Sequence, residues 1–102
     1  MKYAIYGAGS LGIVLSAYLA KAGEKFDIID RNPKSVKALN ANGAVVKGTT
    51  QMQEKVNAVL DTEVKEKYDI IFLLTKQIGN KETVKKISKF LNKDGVICTM
   101  QN

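Results

Sequence analysis

The chain contains no histidine. That removes the side chain most often used as a general base near neutral pH and the commonest nitrogen ligand for transition metals. Cys98 is the sole cysteine, so an internal disulfide and a cysteine-rich metal centre are both excluded. It lies in an apolar stretch and is expected to be a small buried hydrophobe; no metal site is expected. Pro33 is the single proline and no low-complexity stretch occurs, which argues against extended disorder. No apolar run approaches the ~20 residues of a membrane-spanning helix. Met1-Lys2 leads at once into an apolar segment rather than a leader peptide. No membrane partner is expected, and the cytoplasm is the expected location.

What remains is enough for one domain: 102 residues, 45% of them hydrophobic, support a small but real core. The net charge of +6 is spread along the chain. Much of the lysine falls within residues 76–93, on a helix that needs a solvated face. Ordinary surface charge is the reading preferred over nucleic-acid binding, and no nucleic-acid partner is expected.

The most informative segment is the first. Lys2-Tyr-Ala-Ile-Tyr6 is a short apolar strand that runs into Gly7-Ala8-Gly9-Ser10-Leu11-Gly12. An amphipathic run follows, with Leu11, Val14, Leu15, Tyr18, Leu19 and Ala22 expected on one helical face. A G-x-G-x-x-G between a strand and a helix is the dinucleotide-binding fingerprint. Gly7 allows the tight turn, Gly9 admits a pyrophosphate against bare backbone, and Gly12 lets helix and strand lie close. The free N–H groups and positive dipole end of the helix then face the phosphates.

Further on, Lys25-Phe-Asp-Ile-Ile-Asp30 reads as a second strand, after Gly23 as a left-handed helix cap. Asn32-Pro33 reads as a helix start, with Val36 and Leu39 inward and an end near Asn42-Gly43. Residues 44–47 and 56–60 read as short strands, with a turn or extended hairpin between them. Residues 61–67 read as a loop with one helical turn. The continuous apolar run Asp69-Ile-Ile-Phe-Leu-Leu-Thr75 suits a central parallel strand. Val84, Ile87 and Leu91 are spaced for a helix over 80–91 with Lys81, Lys85 and Lys89 outward. Lys93-Asp94-Gly95 then turns the chain into a last strand from Val96.

The pattern predicts an α/β fold: a Rossmann-type, doubly wound, mostly parallel sheet, in one dinucleotide-binding domain over residues 1–102. Its ligand belongs outside the carboxyl ends of the strands, where strand order reverses. Four segments are expected to meet there: the loop 7–12, Asp30-Arg31, Thr75-Lys76 and Gln101-Asn102. Asp30 suits the adenosine ribose hydroxyls, favouring NAD(H). Arg31 suits a 2′-phosphate, favouring NADP(H). Asp30 also has a purely structural role open to it, capping the next helix together with Asn32. Lys76 follows the most buried strand directly and is expected to reach the crevice. Asn102, at the end of the last strand, is by itself only a polar strand end.

Together these residues resemble the nucleotide-binding half of the ketopantoate reductase (2-dehydropantoate 2-reductase) family. Ile5-Tyr6-Gly7-Ala8-Gly9-Ser10-Leu11-Gly12 is similar to the family's opening motif. Arg31 matches the arginine that meets the 2′-phosphate of NADPH. Leu73-Leu74-Thr75-Lys76 matches the strand delivering an active-site lysine. Met100-Gln101-Asn102 is similar to the start of a motif whose asparagine contacts cofactor and substrate. The resemblance implies NADPH-dependent reduction of a small 2-oxo acid, ketopantoate to pantoate in pantothenate and coenzyme A biosynthesis, with Lys76 and Asn102 catalytic. It implies cofactor contacts from Gly7, Ala8, Gly9, Ser10, Leu11, Gly12, Asp30, Arg31, Thr75, Lys76 and Asn102. It also implies a second, helical domain carrying the proton donor and most substrate-binding groups. On that expectation the chain is a fragment of a two-domain enzyme, inactive alone, with exposed apolar surface around Val96, Ile97 and Met100 and a tendency to self-associate. Gly79 stands where the family often has glutamine, and Asp30 precedes Arg31; both are departures. Two other classes share the opening pattern: NAD(H)-binding regulatory domains of the potassium-channel type, and two-domain dehydrogenases of the 6-phosphogluconate or 3-hydroxyacid type.

Overall fold

The computed structural model describes residues 1–7, 9–47, 51–74 and 81–99, without the side chains of Ser10 and Leu11. In chain order the elements are β1 (Tyr3–Tyr6), α1 (Ser10–Lys21), β2 (Phe26–Asp30), α2 (Pro33–Asn42), β3 (Ala44–Val46), β4 (Met52–Glu54), β5 (Asn57–Leu60), β6 (Tyr68–Leu73), α3 (Lys81–Ser88) and β7 (Leu91–Thr99). Five strands form one sheet in the order β5-β2-β1-β6-β7. Every neighbouring pair in it is parallel. Chain order runs outward from β1 to β2 and β5, then returns to β6 on the other side, so the switch point lies between β1 and β6. This is the Rossmann-like architecture that the sequence pattern predicts.

The apolar strands earn their central places by alternation. Ala4, Tyr6, Ile29, Ile71 and Leu73 meet Ile87 of α3 on one face of the sheet. Ile28 and Ala58 meet Leu39 of α2 on the other. Each fully buried isoleucine contributes ~1.5–3 kcal/mol relative to exposure. The helix ends follow local chemistry. Asn32 caps α2 by accepting the Lys34 N–H at 2.9 Å, with Pro33 in the first turn. Gly23, at φ 82°, closes α1, where its own N–H and that of Glu24 return to the Ala20 and Leu19 carbonyls.

Several expectations are corrected. The buried face of α1 is built on Gly12, Ser16 and Ala17, and Tyr18 is 53% exposed. Small residues let this helix lie close, and its contacts include the β3–β4 hairpin as well as the sheet. That hairpin pairs Ala44–Val46 with Met52–Glu54; the polar run from 51 therefore hides a strand, whose Met52 is its buried anchor. Val56 and Lys47 lie outside the strands, and residues 61–67 form turns and loop without helix. α3 ends at Ser88, and Leu91 already pairs with Tyr68 in β7. The segment 92–95 is a bulge inside β7, between the pairs Tyr68↔Leu91 and Ile70↔Val96. A side chain at Gly95 would start 2.8 Å from the Tyr68 carbonyl, so the bulge needs glycine there.

Cys98 is exposed, not buried. β7 is an edge strand on which Ile97 takes the α3 side and packs against the core. Val96, 54% exposed, and Cys98 face the opposite side, the one that carries α1 and α2, but those helices lie over the β1–β2–β5 half. The expected apolar exposure thus holds for Val96 and not for Ile97; Met100 lies outside the described residues.

Candidate dinucleotide site

The carboxyl ends of β1, β2 and β5 come together through backbone bonds. The Gly7 N–H donates to the Ile29 carbonyl at 2.9 Å, and the Asp61 N–H to the Asp30 carbonyl at 2.9 Å. The Leu74 N–H donates to the Tyr6 carbonyl at 3.2 Å, so the chain leaves β6 beside the glycine loop. The switch point and the glycine loop therefore coincide.

Each glycine of the loop has a distinct geometry. Gly7 has φ 104°, a conformation that side-chain-bearing residues rarely adopt. A Cβ at Gly12 would lie 2.3 Å from the Gly7 carbonyl oxygen, so helix and loop touch backbone to backbone. Gly9 has φ −70° and ψ 179°, open to any residue, and among the described residues no atom beyond Gly9 and its chain neighbours lies within 4 Å of where its Cβ would stand. Gly9 opens α1 with no side-chain cap, and the first turn carries no acidic residue. The helix start thus presents backbone N–H donors beside open space, which is the chemistry an oxyanion needs.

Asp30, at the tip of β2, accepts the Asn32 N–H through Oδ1 at 3.1 Å. One carboxylate oxygen therefore serves the turn into α2, the structural role that the sequence left open. Arg31 is exposed next to it. Ala8, Thr75, Lys76 and Asn102 lie outside the described residues, as do the side chains of Ser10 and Leu11.

Sequence reasoning missed three side chains at this edge. Asp61, directly after β5, is 6% exposed, and its Oδ2 accepts the Tyr6 hydroxyl at 3.4 Å and pairs with the Lys86 ammonium of α3. Burial pushes the Tyr6 phenol up from its ordinary value, while the positive charge of Lys86 opposes the shift. The Lys86 ammonium is held above the ordinary lysine value by its hydrogen bond to Asp61, partly offset by desolvation. Arg31 acts on both groups through its positive charge. The signal for Tyr6 and Asp61 was available: each is a polar group ending an apolar strand on the carboxyl side. Lys86 carried no such signal, because a lysine on a basic helix reads as solvated.

A parallel sheet in this order, with a glycine loop between β1 and α1, defines the class of Rossmann-type dinucleotide-binding proteins. The model of the ketopantoate reductase PanE/ApbA family matches residues 3–102, and the chain belongs to that family. It is 34% identical over its whole length to 2-dehydropantoate 2-reductase of Pyrococcus abyssi (strain GE5 / Orsay), of which it covers 33%. Among solved structures it is similar to a PanE/ApbA family ketopantoate reductase from Ralstonia eutropha JMP134, with a TM-score of 0.84, 28% identity, and coverage of 100% of this chain and 34% of that one. It is also similar to a D-mandelate dehydrogenase in ternary complex with NADH and anilino(oxo)acetate, with a TM-score of 0.85 at 27% identity, covering 100% of this chain and 33% of that one. The chain thus spans about a third of the length of these relatives.

Proposed function

We propose that these 102 residues are the cofactor-binding part of an NADPH-dependent reductase of small 2-oxo acids. Ketopantoate, reduced to pantoate on the way to pantothenate and coenzyme A, is the substrate of the whole protein on this reading. The observation that carries it is the bare Gly9 backbone at the uncapped start of α1, with Arg31 exposed at the tip of β2. Family membership supplies the chemical context.

The residues present fit a dinucleotide. Backbone N–H groups of Ala8, Gly9, Ser10, Leu11 and Gly12 would hold the pyrophosphate, with Gly7, whose own N–H bonds to the Ile29 carbonyl, making the turn, and a Cβ at Gly9 would enter the space required. The Arg31 guanidinium would take the adenosine 2′-phosphate through charge-assisted hydrogen bonds. The bound nicotinamide supplies the hydride. Lys76 and Asn102, with Thr75 beside them, are assigned by family resemblance to the substrate carbonyl and the nicotinamide end. There the Lys76 Nζ and the Asn102 amide would donate hydrogen bonds to the carbonyl oxygen and orient the keto acid. The proton for the developing alkoxide is assigned to a lysine in the remaining two-thirds of the family's length. These 102 residues alone are accordingly proposed to bind cofactor without turnover and to self-associate through the exposed side of β7.

One observation favours NAD(H) as a second reading: the Asp30 carboxylate at the tip of β2 is suited to accept from ribose hydroxyls, and a similar dehydrogenase was solved with NADH. Titration calorimetry with NADPH and NADH at two salt concentrations tests the choice. The expected result is tighter NADPH binding, with the difference removed by Arg31→Ala and reduced by salt. Tighter NADH binding that is indifferent to Arg31→Ala would reverse it.

A further inference from the structure

Asp61 holds a buried negative charge beside the residue proposed to read the cofactor's 2′-phosphate. Its N–H bonds to the Asp30 carbonyl, which places it alongside the last residue of β2 and one residue from Arg31. Strand alternation puts it in the row that runs under α3. Val59, two residues earlier, and Ile29 and Tyr6 on the neighbouring strands all pack into that cluster. A carboxylate is the natural intramolecular partner of a guanidinium, which it can grip through two parallel hydrogen bonds. An Arg31 drawn onto Asp61 would be lost to a phosphate. The structure shows Asp61 already engaged, by the Lys86 ammonium and the Tyr6 hydroxyl. Arg31 stays exposed, close enough for its charge to act on both of those groups.

We propose that Lys86 is a positioning residue for cofactor selection: by neutralising the buried Asp61 carboxylate, it keeps the Arg31 guanidinium turned outward for the adenosine 2′-phosphate. This rests on the reading of the chain as an NADPH binder. Lys86 need not touch the cofactor. Its effect passes through Asp61, so it depends on the charge at position 61 and on nothing else in the helix. α3 thereby takes part in choosing between the two cofactors although its contacts to the sheet lie on the core side.

The test is the ratio of NADPH to NADH affinity, measured by calorimetry at one low salt concentration for the wild-type chain and a set of variants. Arg31→Met is expected to abolish the preference for NADPH. Lys86→Met is expected to lower the ratio about tenfold, on the scale of one charge-assisted hydrogen bond, with NADH affinity essentially unchanged. Lys86→Arg is expected to keep the wild-type ratio. The decisive variant is Asp61→Asn combined with Lys86→Met: the trap is then uncharged, and the preference is expected to return. A purely structural role for Lys86 predicts no such return. Lys86→Gln retains a donor to the carboxylate but lacks the charge; it gives the same reading, a lowered ratio, if Lys86→Met does not fold. A wild-type ratio in Lys86→Met or Lys86→Gln, or a double variant no better than Lys86→Met, overturns the proposal while leaving the NADPH reading intact. A wild-type chain without an Arg31-dependent preference overturns the NADPH reading, and this proposal with it.

Discussion

The two ends of the sheet each carry a tyrosine hydroxyl bonded to an aspartate, and the two pairs are built to different ends. At the amino end, Tyr68 donates to Asp27 Oδ2 at 2.6 Å, and the Asn57 amide donates to Asp27 Oδ1 at 2.9 Å. Both carboxylate oxygens are met by neutral donors from neighbouring elements. Nearby, the Lys2 N–H and the Asn92 amide bind Asp69 at 2.7 and 3.0 Å. At the carboxyl end the Tyr6–Asp61 contact is longer, 3.4 Å, and a half-exposed lysine shares the same oxygen within the field of Arg31. The hydrogen bonds to Asp27 tie β2, β5 and β6 together. The carboxyl end brings cations, a buried anion and bare glycine backbone to one edge, where the sheet's topology sends a ligand. On the proposed function, stability and recognition are thus separated along the strands.

Substitutions at the two ends are expected to split these properties, and in stability the largest effect belongs to the amino end. Tyr68→Ala removes a ring that is 2% exposed and the donor to Asp27. It should cost ~3–5 kcal/mol by urea denaturation. Dinucleotide affinity of the folded molecules should be essentially unchanged; a large loss of affinity with stability retained would erase the distinction between the ends.

Gly12→Ala comes next. In an exposed helix the change gains up to ~1 kcal/mol. Here the new methyl would stand 2.3 Å from the Gly7 carbonyl oxygen, and the resulting displacement of backbone should give a net loss of ~1–3 kcal/mol. A rise in thermal midpoint would show that α1 can move off the loop without penalty.

A smaller effect follows from pH. Burial, then the bond to Asp27, raises the Tyr68 phenol above its ordinary value of 10.0. The folded form resists ionisation that the unfolded chain accepts. This contribution is therefore complete below about pH 10 and declines as pH rises beyond it. The thermal midpoint should fall above that pH, and less steeply in Tyr68→Phe. Equal slopes would place the alkaline sensitivity elsewhere.

Gly9→Val should disturb stability least and binding most. Position 9 has ordinary backbone angles and open space around it. The cost should be no more than about 1 kcal/mol, the scale of a weakened helix cap. Dinucleotide binding should be lost, because the branched side chain takes the space of the pyrophosphate. A folded variant with retained affinity would reduce the loop to a structural turn.

The elements legible in advance were those whose local signals agree. The strand, glycine loop and helix at residues 3–21, the Asn32-Pro33 start of α2 and the apolar β6 all carried periodicity and punctuation pointing one way. Leu91 misled because its spacing from Val84 and Ile87 continues a helix, while the pairing partner that claims it, Tyr68, is distant in sequence. Cys98 misled because an apolar strand was read as buried on both sides, and β7 is an edge. Tyr18 misled because the close packing of α1 is set by its small residues, which leave little mark on a hydrophobic pattern.

By itself, then, the sequence determined the order of elements other than β4, the glycine turn, and the strand tips at which Asp30 and Arg31 stand. These depend on backbone sterics, capping and alternation, which act over a few residues. Only the tertiary structure decided that Asp61, Tyr6 and Lys86 share one charge network. These residues are 25 to 80 positions apart. They meet because parallel pairing aligns the ends of β1, β2 and β5, and because α3 packs across that edge. Which ion neutralises a buried carboxylate is settled by distance in space and by desolvation, and neither is written in the neighbouring residues.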